Sequence, residues 1–319
     1  MVFLNKKIKK TSQGRLIMQI IQNRSEILFL YDVKDANPNG DPVDENKPRI
    51  DEETGVNIVT DVRLKRTIRD YLHEYKGQEV FIREIRKDDG KLKTKEERLN
   101  DFGESSIVDR CIDIRLFGST TAVEDRTITL TGPVQFKYGR SLHKVDLAYV
   151  KGTTVMPSGA EKKQGTFTER YILPYSLIVF YGIVNENAAK TQNIPLTEED
   201  IKLMLEAIWN GTKNLISGSK FGQMPRLLVQ VIYKEDHNFY IGELDKLVSI
   251  NSEKSDEALR DISDIKIDIT ELINTLTKHT DKIKKIRFIA DERTKFIRDG
   301  IETDIKTPLS GFTLEELIF

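Results

Sequence analysis

The sequence predicts an α+β fold in which strands and helices follow the order β-α-β-β-α-β, and three observations carry that prediction. Residues 27–31 and 177–181 are apolar runs of strand length, a pattern that marks strands covered on both faces. Two amphipathic segments open on threonines suited to capping a helix, Thr60 and Thr197. Residues 126–136 alternate between apolar and polar side chains with the period of a strand.

Met1 to Arg24 holds Lys6, Lys7, Lys9, Lys10, Arg15 and Arg24 and no acid, which predicts a basic amino-terminal arm over residues 1–24. From Ser25, Ile27, Phe29, Tyr31 and Val33 share one face and Leu28 and Leu30 the other, giving the first strand. After a turn-rich loop, Thr60 caps a helix with the stripe Leu64, Ile68, Tyr71, Leu72 and Tyr75, from whose other faces Arg63, Lys65, Arg66 and Arg69 project. A hydrophilic stretch over 87–104 reads as an inserted loop, and Ser105 or Ser106 opens a further helix that stops at Gly118. The second strand is expected over 126–136, with Gly132-Pro133 marking a bulge or an edge. Residues 137–170, rich in Gly and Lys, make a connection far longer than a hairpin loop. The third strand follows over 171–184. Thr197-Glu-Glu-Asp200 then starts a helix bearing Ile201, Leu205, Ile208 and Trp209, and 227–233 is the fourth strand. This order is the ferredoxin-like arrangement found in RNA recognition motifs. Residues 25–237 thus form one core, and 238–319 read as a mainly helical carboxy-terminal appendage with the stripe Leu259, Ile262, Ile269, Ile273 and Leu276.

Composition narrows the function. The chain has 319 residues with 38% hydrophobic and 32% charged residues, which excludes a wholly disordered or membrane-spanning protein. Fifty Lys+Arg against 51 Asp+Glu give a net charge of −1, so any nucleic-acid binding must come from local charge. The one cysteine, Cys111, reads as a buried structural thiol in a reducing compartment, and the protein as cytoplasmic with no membrane partner. Asp35-Ala-Asn-Pro-Asn-Gly40 opens like a calcium loop, but position twelve is Asn46, so a turn is expected instead of a metal site. No histidine pair has metal-ligand spacing, and no metal or other cofactor is expected. Hydrolase-elbow, zinc-protease and phosphate-loop motifs are absent.

Local basic charge stands out instead. Lys213, Lys220, Arg226 and Lys234 fall in an acid-free stretch around Gly218-Ser-Lys-Phe-Gly-Gln-Met-Pro-Arg226, where backbone N–H groups and cations suit phosphates and Phe221 and Met224 suit bases. Lys137, Arg140, Lys144, Lys151, Lys162, Lys163 and Arg170 outnumber Asp146, Glu161 and Glu169 in the long connection. These segments on a β-α-β-β-α-β scaffold point to RNA. The octapeptide with which ordinary RNA recognition motifs stack bases is missing, so loops and a helix flank are expected to hold the strand.

Ile27-Leu-Phe-Leu-Tyr-Asp-Val-Lys-Asp-Ala-Asn-Pro-Asn-Gly-Asp-Pro42, Thr60-Asp-Val-Arg-Leu-Lys-Arg66, Thr131-Gly-Pro-Val-Gln-Phe136 with Gly139-Arg-Ser-Leu142, and residues 220–226 together resemble the backbone subunit of type I CRISPR interference complexes, nearest in character to the type I-B Cascade form. The resemblance spans most of residues 25–235. It implies a non-catalytic member of the repeat-associated RNA-binding superfamily, with a modified RNA-recognition-motif palm and a long thumb insertion. Several copies are implied to stack head to tail along one CRISPR RNA, beside other Cascade subunits, leaving the guide free to pair with target DNA. On this chain the resemblance implies phosphate contacts from Thr60, Arg63, Lys65 and Arg66. A second clamp is implied from Lys220, Gln223 and Arg226 with Phe221 and Met224. The thumb is implied at 137–170, with Val155 and Met156 as wedges, and the palm rim at Asn37 and Asn39. An endoribonuclease of the same superfamily is the alternative, with His143 beside Arg140 and Lys144, or His73 beside Glu74, as general acid-base.

Overall fold

The computed structural model describes residues 20–103, 106–123, 126–153, 167–236 and 238–319. Strand β1 (Ser25–Ala36) lies at the centre of a nine-stranded sheet. The other members are β2 (Val56–Val59), β3 (Val134–Phe136), β4 (Gly139–Lys144), β5 (Ala148–Thr153), β6 (Phe167–Val184), β7 (Gln223–Tyr233), β8 (Ile283–Ala290) and β9 (Leu314–Glu316). Its order is β9-β8-β7-β1-β6-β4-β2, with β3 and β5 also paired to β6. All pairings are antiparallel except that of β8 with β9.

The expectation that the first strand is covered on both sides is borne out. Ile27, Phe29, Tyr31 and Val33 face helices α1 (Asp61–Glu74) and α2 (Glu198–Lys213), in one core with Leu64, Ile68, Leu72, Leu205 and Ile208. Leu28 and Leu30 face a second core with Leu244, Ile262, Ile273 and Phe288 from the carboxy-terminal part. Period-two alternation sends alternate β1 side chains into different cores. Both helices start where their caps predict. Thr60 accepts from the Arg63 N–H, and Thr197 with Asp200 forms a capping box. Burying Leu64, Ile68 and Leu72 contributes about 1.5–3 kcal/mol each.

Several expectations are corrected. Residues 20–24 do not belong to a free arm: Ile21 is buried, and Arg24 pairs with Glu186 at 3.1 Å and donates to Asn238 at 2.7 Å. Residues 1–19 lie outside the described residues. The single strand expected at 126–136 is two, because Gly132-Pro133 breaks it. Arg126–Thr131 pairs with Gly118–Val123 in a separate hairpin, whereas β3 joins the main sheet. The stretch expected as a loop at 87–104 contains a capped helix, Lys95–Asn100, and its Leu99 and Phe102 pack with Phe81, Ile107, Cys111 and Ile114 in a small core of their own. Cys111 is buried there, and desolvation pushes its thiol up to about 12. Of the two candidate caps, Ser106 caps Ile107–Arg110, while Ser105 lies outside the described residues.

The carboxy-terminal part is not mainly helical. Among its described residues the one α-helix is α3 (Thr270–Lys278); strands and single 3-10 turns make up the other elements. The apolar stripe is buried as expected, but Ser252, Asp261 and Asp264 accept from nearby backbone N–H groups of Lys254, Ser263 and Arg260, which competes with helix, and the isoleucines of β8 favour extended chain. Glu26 fastens this part to β1. Its buried carboxylate accepts from the hydroxyls of Tyr181 and Tyr233 and from the N–H groups of Ile241 and Gly242. No helix among the described residues is long and apolar enough to cross a membrane.

Candidate nucleic-acid interface

Three segments meet at the end of the sheet where β1 leaves the core: residues 37–41, the amino terminus of α1 and the 217–222 loop before β7. The Asn-Pro-Asn-Gly stretch joins them. Asn39 Oδ1 accepts from both the N–H and the hydroxyl of Thr60, at 2.8 and 2.9 Å, fixing the capping residue of α1. Asn37 donates to the Asn46 carbonyl, its own N–H donates to Ser219, and its carbonyl accepts from Lys220 Nζ at 2.6 Å. These asparagines, expected to shape the rim, hold it by hydrogen bonds. Gly222 closes the loop at φ 108°, and a Cβ there would fall on the Lys34 carbonyl oxygen.

Arg63 and Lys220 sit together in this frame. Both line a cavity of about 310 Å³ between α1 and α2. Burial pushes the Lys220 amine down to about 8, and the neighbouring Arg63 guanidinium acts in the same direction. Desolvation likewise lowers Arg63, which lies beside Tyr31. Asn37 Oδ1 and Arg63 Nε are buried with no hydrogen-bond partner among the described residues. Two half-buried cations, one of them with an unpartnered buried N–H at Arg63 Nε, at a helix amino terminus favour an anion, whereas the Asn37 oxygen calls for a donor. On the other side of Thr60, a cleft of about 540 Å³ is lined by Arg140 with Arg49 and Tyr138. Arg140 pairs there with Asp51 at 3.2 Å. Phe221 is 69% exposed beside Lys220, while Met224 is half-buried opposite Asp32 in the β1–β7 ladder.

Other expected contacts do not join this cluster. Arg226 is a buried ion-pair residue: its guanidinium binds Asp32 at 2.7 Å and Asp291 at 2.8 Å, so β-sheet pairing turned a presumed clamp residue inward. Gln223 is buried too and donates to the Lys220 carbonyl, supporting the loop from below. Lys65 is 12% exposed at its side chain and bonds Asp61 and Gln135. Arg66 pairs with Asp70 at 2.8 Å and lines a different cleft with Arg69, Arg83 and Arg98. Lys137 is drawn to Glu243 at 2.9 Å and Asp245, toward the carboxy-terminal part. Lys144 is exposed at the end of β4 with its stem against Gly55. Val155 and Met156 lie outside the described residues, as do Lys162 and Lys163.

The root of the 137–170 connection is described. The β5–β6 pair extends beyond the core, and Arg170 donates to the Gly218 carbonyl at 3.2 Å, tying the connection to the cationic loop. Arg49 and Tyr138 were not singled out in the sequence. The i, i+2 spacing of Tyr138 and Arg140 is the signal that would have paired them.

His143 is poorly suited to proton transfer. It is 3% exposed, its Nε2 accepts from the Leu177 N–H at 3.1 Å, and its Nδ1 lies 2.6 Å from the Lys144 carbonyl. Both ring nitrogens are thus held by backbone, and desolvation lowers the ring's pKa. His73 contacts the Gln78 carbonyl away from the cluster. In the Asp35–Asp41 stretch, Asp41 is taken by Arg49 at 2.6 Å, and among the described residues no three His, Cys, Asp or Glu side chains are grouped to hold an ion.

Comparison with known proteins gives concordant results. A family model described as CRISPR-associated protein Cas7 matches residues 23–270. A curated relative from Haloferax volcanii, named CRISPR-associated protein Cas7, is 34% identical over 306 residues, covering 85% of this chain and 88% of that protein. Among solved structures, a chain of a CRISPR RNA-guided surveillance complex aligns with TM-score 0.50 at 14% identity, over 84% of this chain and 89% of that one. A chain of a pre-nicking form aligns with TM-score 0.53 at 12% identity, over 86% and 96%.

Proposed function

Because the chain belongs to the Cas7 family of CRISPR-associated proteins, we propose that it is a non-catalytic, RNA-binding backbone subunit of a type I Cascade complex, of the I-B form. It holds CRISPR RNA for pairing with invading DNA. The observation that carries this reading is the meeting of Arg63 and Lys220 beside the start of α1, capped by Thr60 and braced by Asn39, with Arg140 across Thr60. A phosphate at the helix end finds fixed donors and two guanidinium or ammonium groups.

The palm is read as a modified RNA-recognition motif. In support, the strands β1, β3 with β4, β6 and β7, taken in chain order as one to four, lie side by side as four-one-three-two, with α1 and α2 on one face. The β5–β6 projection serves as the root of the thumb. Copies of the chain stack head to tail along the guide in the cytoplasm, beside other Cascade subunits, and target DNA is met through the guide duplex. The buried, backbone-bound state of His143 supports a structural role over guide cleavage.

The test is binding of a single-stranded oligoribonucleotide across a salt series. Affinity should fall linearly with salt on a log-log plot, and Arg63→Gln with Lys220→Gln should reduce the slope by about 0.7 per lost phosphate contact. An unchanged slope in the double variant would refute the assignment.

A further inference from the structure

The cavity walled by Arg63 and Lys220 is polar at one end and aromatic at the other, and its aromatic end has no part in the phosphate contacts proposed above. Tyr71 and Tyr75, one helical turn apart at the end of α1, stack with ring centroids 5.0 Å apart and planes 14° from parallel. Tyr71 is buried and its hydroxyl is held by Glu206, so this ring is a fixed floor. Tyr75 lies over it and is 55% exposed, and with one face on Tyr71 the opposite face is the one available to a planar group. Both line the cavity, as do Asp70 and Glu74. Asp70 is neutralised by Arg66, whereas Glu74 is exposed and repels any phosphate from this end.

Charge therefore orients an occupant. Its anionic part belongs beside Arg63 and Lys220, and an uncharged, planar part belongs on Tyr75. A volume of about 310 Å³ is at the lower limit of small-ligand sites, suited to one nucleoside. We propose that this cavity receives one base of the bound RNA, stacked on the open face of Tyr75 while the adjoining phosphate is held by Arg63 and Lys220. The inference rests on the RNA-binding reading and adds a base site to it. Stacking suits every base, because each has a π face, so the site tolerates any sequence.

The test uses the purified protein and an oligoribonucleotide carrying 2-aminopurine, whose fluorescence is quenched on stacking. Wild type should quench the probe on binding. Tyr75→Leu should abolish the quenching and weaken adenosine, cytidine and uridine homopolymers alike, by roughly five-fold or more. Its salt slope should stay at the wild-type value, and Tyr75→Trp should restore quenching. Tyr75 is exposed, so these variants leave the core untouched. If Tyr75→Leu keeps the wild-type affinity or quenching, the base site is wrong while phosphate binding stands. If wild type binds no RNA, or binds it without dependence on salt, the RNA-binding reading fails and takes the base site with it.

Discussion

Replacing Lys220 separates its charge from its packing, because its protonation changes within an accessible pH range. Burial and Arg63 hold the amine at about 8, so it is about 90% charged at pH 7 and about 10% charged at pH 9. A phosphate binds only the charged form well and raises the amine's pKa in the complex. Affinity is therefore full below pH 8 and lost as pH rises through it, by roughly tenfold between pH 7 and 9. Fluorescence anisotropy with a labelled oligomer of adenosines and cytidines, whose bases do not ionise in this range, measures the effect at fixed ionic strength. Lys220→Gln should bind weakly and with no pH dependence, and Lys220→Arg should bind without the alkaline loss, because guanidinium stays charged. Parallel pH curves for wild type and Lys220→Gln would refute the contact, since the titrating group would then lie elsewhere.

Four further outcomes follow from the packing. Glu26→Gln leaves at least one of four buried donors facing an amide N–H and should cost about 2–4 kcal/mol in urea unfolding; a loss below about 1 kcal/mol would contradict its role as a fastener. Arg226→Met strands Asp32 and Asp291 and should cost about 3–5 kcal/mol without changing the salt slope of RNA binding. Burial already raises the Asp32 carboxyl and loss of the guanidinium raises it further, so the deficit should shrink as pH falls and the carboxyl takes up a proton; adding Asp32→Asn should recover part of it. Gly222→Ala places a methyl on the Lys34 carbonyl at positive φ, and should lower both melting temperature and RNA affinity. Asn39→Ala removes the acceptor of the Thr60 N–H and hydroxyl, and should cost about 1–2 kcal/mol in stability, read by chemical denaturation.

The parts of the fold with strong local signals were legible in the sequence. The two threonine caps and the alternation of β1 depend on residues near one another in the chain, whereas the β1 pairings join Ser25 to Val184 and Ile232. In the carboxy-terminal part the helical period is real only from Ile269 to Leu276, which cap and line α3, whereas Leu259 and Ile262 reach the same core from 3-10 turns, so one apolar stripe joins a helix to turns that are not helical. Composition located the basic stretches, but whether a cation faces outward depends on distant partners. Asp291 lies 65 residues from Arg226, and Glu243 lies 106 residues from Lys137. A helix cap and a glycine loop mark the places of Arg63 and Lys220, which the structure brings to one cavity, whereas the helical stripe assigns Tyr75 to the core although the residue is 55% exposed.

One unbroken strand, β6, serves both the core and the projection beyond it. Its 18 residues span about 60 Å, and its first six, paired with β5, stand clear of the β1 ladder. At the junction Pro174 has no N–H to give, and opposite it Asp35 takes φ 51°, so the ladder skips one rung between Lys34↔Tyr175 and Ala36↔Leu173. Mechanically this is a cantilever with a notch at its support. A rotation of a few degrees at the notch sweeps the outer end, about 20 Å away, through an ångström or more without disturbing the anchored half. The hydrogen bond from Arg170 to the Gly218 carbonyl bridges that notch, so a bend of the projection is passed to the loop that carries Lys220.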